Sequence, residues 1–263
     1  MKKNEAIKDI ISVAILAGKI MLENGAETYR VEDTITRICH SNNIDEAEVF
    51  VIPTGIFLSI DFNDKLYSYI KRINAINIDL HIISLVNDFS RSYVNQEITT
   101  KEAIDALNEI AKAPDFKLLT RCFFGGLSGG FFTIMFGGNA LELLLAFITS
   151  FLVIFSVTEF NKYSQSFFLR NILGGLVNTS VAITLTYFVS KLDIMPIDFN
   201  KIIIGSIMPL VPGVAFTNAI RDSINADFVS GVSKLLEATI IAVAIAIGVG
   251  FVLQINLSFL GGF

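Results

Sequence analysis

Tryptophan is absent from the 263 residues, and cysteine and histidine occur only twice each. Cys39 and Cys122 lie far apart, with no CxxC and no His/Cys cluster, so no metal site or redox pair is expected. Two free thiols facing a reducing cytosol are the plain reading. His40 and His81 each stand alone. GxSxG, HExxH and GxxxxGK[ST] are all missing, which leaves no nucleophile, zinc helix or phosphate cradle on which to build an enzyme or an ATPase. No catalytic residue, metal or cofactor is therefore expected. Basic residues are also in deficit, 20 against 25 acidic ones, for a net charge of −5. A nucleic-acid surface needs the opposite balance. The N-terminus MKKNEAIKDII leads into an amphipathic helix rather than an apolar run, so no signal peptide is expected.

Charge is scarce in one half only. Residues 1–121 hold 14 of the 20 Lys+Arg and 18 of the 25 Asp+Glu, leaving 6 and 7 for the rest. With 52% hydrophobic residues overall, the chain reads as two regimes in two solvents, water first and lipid second. The expected fold class is an α+β cytosolic N-terminal domain, residues 1–116, followed by an all-α transmembrane domain of about five helices, residues 117–263.

In the first regime, Ile7, Ile10, Ile11, Ala14, Ile15 and Met21 recur at helical spacing, and Asn24-Gly25 stops the helix. A second helix is expected from about Glu27 to Ser41. EVFVIPTGIFLSIDF and KLYSYIKRI, around the turn-like Asn63-Asp64, change to strand character. Helical patterns return from Asp79 to Tyr93 and from Thr99 to Pro114. The densest polar signature is NGAETYRVEDTITRI, residues 24–38, where Glu27, Arg30 and Asp33 or Thr34 fall three to four apart. Such a face carries an internal ion pair or is a solvated helix surface.

Five apolar segments follow, at about 118–136, 140–158, 171–190, 202–217 and 232–255, against the roughly 20 residues that a 30 Å hydrocarbon core needs. Lys162 and Arg170 in one loop and Arg221 and Lys234 in another favour the inside, and the Gly137–Asn139 connection has no basic residue. Lys191 and Lys201 are offset by Asp193 and Asp198. The expected topology is a multi-pass inner or plasma membrane protein, N-terminus cytoplasmic and C-terminus outside. FFGGLSGGFF places Gly125/Gly129 and Gly126/Gly130 in two overlapping GxxxG pairs, a close-packing helix face.

The fourth segment is short and broken by Pro209, Pro212 and Gly213. The prolines remove backbone donors, and a helix restarting at Val214 would aim its positive end into the bilayer at an anionic group. Asn218, Asp222 and Asn225 share its face, with Arg221 beside them. A Pro/Gly-interrupted span points to a transporter site, against the alternative of a plain kink. Glu142 and Asn178 are further intramembrane polar candidates for the substrate pathway.

NGAETYRVEDTITRI, RINAINIDLHIISLVNDFSR, EAIDALNEI and PLVPGVAFTNAIRD together resemble the threonine/serine exporter family, in its N-terminal half and nearly end to end. The resemblance implies export of small carboxylate-bearing metabolites, threonine/serine-type amino acids or succinate-type dicarboxylates. Gly25, Ala26, Glu27, Arg30 and Glu32 match the family's cytosolic motif. Pro209, Pro212, Gly213, Asn218 and Asp222 match that of the fourth span. Glu142 stands where relatives commonly carry Asp. The expected partners are the bilayer, a small-molecule substrate and a second small membrane subunit, with a homo-oligomer left open. The competing reading is a membrane-anchored sensor whose cytosolic domain binds a ligand. A membrane-embedded enzyme is disfavoured by the missing motifs.

Overall fold

The computed structural model describes residues 2–62, 65–74, 77–95, 98–114, 116–163, 166–192 and 195–259. The expected Asn63-Asp64 turn and Asp193 lie outside them. The described residues form ten α-helices and one three-stranded sheet, divided between two compact units: Met1–Pro114 with Val214–Leu235, and Asp115–Gly213 with Leu236–Phe263.

In the first unit, α1 (Lys2–Glu23) and α2 (Thr28–Ser41) are followed by β1 (Glu46–Ile52), β2 (Gly55–Asp61) and β3 (Leu66–Arg72), then α3 (Leu80–Asn95) and α4 (Thr100–Ala111). The strands form an antiparallel meander with Phe50, Phe57 and Ile70 side by side on the outer face. Val51, Ile56, Leu58 and Ile60 point into the core. From Val13 onward α1 is buried almost all round, by Val13, Ala14, Ala17, Ile20, Met21 and Leu22, so it is the central post of the unit rather than an amphipathic cover. A Thr99–Glu102 capping box opens α4 as the sequence suggests.

In the second unit, α5 (Leu118–Met135), α6 (Ala140–Phe160), α7 (Phe167–Ser190) and the latter part of α10 (Phe228–Phe259) are long and apolar. The fourth segment is divided into α8 (Phe199–Ile207), a 3-10 turn (Met208–Leu210) and, after Pro212, α9 (Gly213–Ile224). Among the described residues four helices have the length and apolarity to cross a membrane, and the spans number five if the broken pair counts as one.

These findings overturn the expected fold class. The chain is mostly helical with one small sheet, and it is not a clear cytosolic domain followed by a five-helix transmembrane domain. Residues 214–235, expected to hold the end of the fourth segment, an inside loop and the start of the fifth, are built into the unit formed by the N-terminal residues. Their polar groups hold them there: Asn218, Arg221, Asp222, Asp227 and Lys234 all find partners within that unit.

The four glycines of α5 meet different neighbours. A Cβ on Gly126 would come within 3.0 Å of the Phe147 carbonyl oxygen, and one on Gly130 within 3.1 Å of that of Leu143, so this pair lies directly on the α6 backbone. Gly125 and Gly129 differ from it and from each other. A Cβ on Gly125 would meet only the Ile154 side chain, at 2.8 Å. One on Gly129 would overlap the Ser150 hydroxyl of α6 and stand 3.1 Å from Ser206 Cα of α8, so Gly129 sits where three helices converge. The reason is angular: residues one apart on a helix point about 100° away from each other, so overlapping pairs face different neighbours. On Gly205 of α8 a Cβ would stand 2.7 Å from the Thr133 backbone, completing the α5–α8 approach.

Candidate functional site

Helix α1 ends in a Schellman turn. Gly25 N–H donates to Leu22 O at 3.2 Å and Ala26 N–H to Met21 O at 3.1 Å, with Gly25 at φ +84° in the left-handed region. The carbonyls of the segment that follows must also find donors. Glu23 O accepts Asn77 N–H at 2.8 Å, and Asn24 O accepts Asp79 N–H at 3.1 Å. The next two are satisfied from far along the chain. Gly25 O accepts the Asn218 amide at 3.1 Å, and the Lys234 ammonium stands 3.4 Å from Ala26 O.

Residues 27 and 28 continue the pattern. Glu27 is the N-cap residue of α2, yet its side chain makes no capping bond. Its carboxylate is instead shared by two guanidiniums, Oε1 with Arg221 and Oε2 with Arg30 Nε at 3.3 Å. The Thr28 hydroxyl donates to Asp227 Oδ2 at 2.7 Å, and Asp227 Oδ1 accepts Ser230 N–H at 3.3 Å at the start of α10. Each residue from Gly25 to Thr28 is thus held by one side chain from 218–234, and the two motif segments form one clasp.

Asp222 closes the clasp from behind. It is fully buried with Oδ2 2.7 Å from Lys234 Nζ, itself buried. Oδ1 has no hydrogen-bond partner among the described residues, and neither has the buried Ser230 hydroxyl. Glu32 sits beside them and accepts Val51 N–H at 2.9 Å. Burial raises its pKa above the ordinary carboxylate value, Val51 N–H opposes the rise, and the charges of Asp227 and Asp222 add to it. The Tyr29 hydroxyl, 3.3 Å from Arg30 Nε, does most to raise that guanidinium's pKa; burial opposes it and Glu27 adds to it.

Other candidates from the sequence lie in the second unit. Asn178 is fully buried; its amide donates to Ile203 O at 3.1 Å, and its Oδ1 lies 2.7 Å from the Ser206 hydroxyl. The Ser150 hydroxyl donates to Ser206 O. Side chains of α6 and α7 therefore take up carbonyls of α8 just ahead of its break, where Pro209 withholds a donor. Pro209 lies in the 3-10 turn and Pro212 directly precedes α9, which begins at Gly213, one residue earlier than expected. A Cβ on Gly213 meets nothing within 4 Å. Glu142 is buried with both oxygens engaged, accepting Asn139 N–H and Asp198 N–H, each at 2.7 Å. It borders a cavity of about 300 Å³ with Gly137, Pro196 and Lys201.

Sequence reasoning did not single out Thr28, Asp227 or Lys234. Lys234 counted there only as a loop charge. An ammonium entering the apolar run of α10 was nonetheless the available signal, because such a charge needs a buried counter-ion. Among the described residues no group of three His, Cys, Asp or Glu is placed to hold a metal ion.

Long apolar helices, a broken span and polar groups buried among the spans define a multi-pass membrane protein of transporter type. The profile of the threonine/serine exporter family matches residues 12–256, and the chain belongs to that family. It is 20% identical over 254 residues to a threonine/serine exporter of Corynebacterium glutamicum, covering 95% of this chain and 52% of that protein. It is also 28% identical over 139 residues to an uncharacterized protein of Schizosaccharomyces pombe, covering 51% of this chain and 18% of that one. The chain thus spans about half the length of the first relative and less than a fifth of the second. No solved structure matches it.

Proposed function

We propose that this chain is part of a secondary exporter of small carboxylate-bearing metabolites, threonine/serine-type amino acids or succinate-type dicarboxylates, with its N-terminal residues in the cytoplasm. It works with a second membrane unit, on the same or another polypeptide; the Corynebacterium exporter is about twice as long as the stretch it shares with this chain. The clasp carries this reading. The cytosolic motif and the polar end of the broken segment are held residue by residue, through Asn218, Lys234, Arg221 and Asp227, and such a latch is suited to gate the cytosolic approach. A sensor needs an anchor but no interrupted span, so the break favours transport.

The test is efflux of preloaded labelled threonine, serine and succinate from cells with and without the chain, together with the second membrane unit. Export of at least one of these, dependent on the chain and lost on deletion of residues 209–225, is expected. Equal efflux with and without the chain would end the exporter reading.

A further inference from the structure

Glu27 is the one acid of the clasp that is shared between two cations. Asp222 is matched by Lys234, Asp227 is bonded to the Thr28 hydroxyl and Ser230 N–H, and Glu32 to Val51 N–H. Glu27 alone faces two guanidiniums, and both are open to solvent: the Arg30 side chain is 45% exposed and that of Arg221 50%, against 9% for Glu27. Each guanidinium carries five donors in a planar fork, suited to a carboxylate. Arg30 gives only Nε to Glu27 and Tyr29, and Arg221 only Nη1 to Glu27, so the other donors have no partner among the described residues. Because the Tyr29 hydroxyl accepts from Arg30, its own proton remains to be donated.

From this geometry we infer that Arg30, Arg221 and Tyr29 form a binding fork for a substrate carboxylate, and that Glu27 is the internal carboxylate with which the substrate competes. Across the clasp the carboxylates of Glu27, Glu32, Asp222 and Asp227 outnumber the cations Arg30, Arg221 and Lys234, so the draw on an arriving carboxylate is local and comes from the unused donors of the two exposed guanidiniums. As the substrate engages Arg221, the hold of Glu27 on that residue weakens, so binding loosens the clasp. This rests on the exporter reading above and assigns its first contact with substrate.

Competition sets the sign of the test. The full chain is placed in nanodiscs of zwitterionic lipid, where anionic headgroups cannot fill the fork, and labelled succinate and threonine are titrated at low salt. Glu27→Gln is expected to bind the preferred probe several-fold more tightly than wild type. Arg221→Gln is expected to lose roughly ten- to a hundredfold, the scale of one charge-assisted contact. Arg30→Gln, which leaves the Glu27–Arg221 pair in place, is also expected to weaken binding. A Glu27→Gln protein that binds neither probe, or binds no better than wild type, would overturn the inference, as would unchanged binding by Arg30→Gln. Binding that follows this pattern without any efflux would count against the exporter reading and leave the fork standing. Efflux without it would do the reverse.

Discussion

Asp222 Oδ2 lies 2.7 Å from Lys234 Nζ, and this buried pair ties α9 to the start of α10. Two charges withdrawn from water stabilise little as a pair, but removing one strands the other, at a cost of about 3–5 kcal/mol. Asp222→Asn and Lys234→Met are each expected to lower the unfolding temperature of the detergent-purified protein. The double variant Asp222→Leu/Lys234→Met should recover much of the loss. Single variants that melt like the wild type would show that the pair bears no structural load.

Glu32 gives the first unit a pH dependence of definite sign. Burial raises its pKa in the folded protein, so the unfolded chain releases this proton at lower pH. The stabilising contribution is complete below the unfolded value and is lost as pH rises through the folded one. Glu32→Gln keeps an oxygen for Val51 N–H without the charge. The unfolding temperature of the variant minus that of the wild type should therefore grow as pH rises above the ordinary carboxylate range. A difference that shrinks over that interval would contradict this assignment.

Ala226 closes α9 with φ +66°, where Ala226 N–H reaches Ser223 O and Asp227 N–H reaches Asp222 O, a Schellman turn with alanine in glycine's usual place. A left-handed alanine costs about 1–2 kcal/mol. Ala226→Gly is expected to stabilise the α9–α10 turn by about 0.5–1 kcal/mol after the added flexibility of the unfolded chain is subtracted. Thermal unfolding of the two proteins measures it, and a less stable glycine variant would refute it.

Two glycines near the break should behave oppositely. On Gly205 a Cβ meets Thr133 backbone at 2.7 Å, so Gly205→Val must push α5 and α8 apart. At Gly213 the same atom meets nothing within 4 Å, so Gly213→Ala should insert and melt like the wild type. Membrane-inserted yield separates them, and equal losses would mean that the space at Gly213 is filled in the working protein.

The long spans were legible because each is a continuous apolar run, and the N-terminal helices and strands because their periods are clean. The glycine spacing in α5 signalled close approach, but not that Gly126 and Gly130 would meet α6 backbone while Gly129 also reaches α8. Which neighbour a glycine faces depends on the tertiary arrangement, and a bare hydrogen carries no signature of it. The partnership of Gly25–Thr28 with Asn218–Lys234 was equally hidden. Each motif read alone looked like a helix surface or a kinked span, and only the fold brings Glu27 to Arg221 and Lys234 to Ala26. For the same reason Asp222, read as sharing a face with Asn218 and Asn225 beyond the break, is found buried against a lysine counted as a loop charge. Glu142 looked like a solitary intramembrane acid because its partners are the backbone amides of Asn139 and Asp198, which carry no side-chain signature.

If the Glu27–Arg221 contact belongs to the export machinery, charge reversal with rescue tests it most directly. Efflux per membrane-inserted protein is measured for Glu27→Arg, Arg221→Glu and the double swap. Glu27→Arg sets a third cation against Arg30 and Arg221, and Arg221→Glu sets a second acid against Glu27. Each single variant should lose at least about tenfold in rate, the scale of one charge-assisted contact. The swap restores an opposite pair, and partial recovery, well above either single variant, is predicted. Single variants that export at the wild-type rate, with inserted yield unchanged, would contradict it.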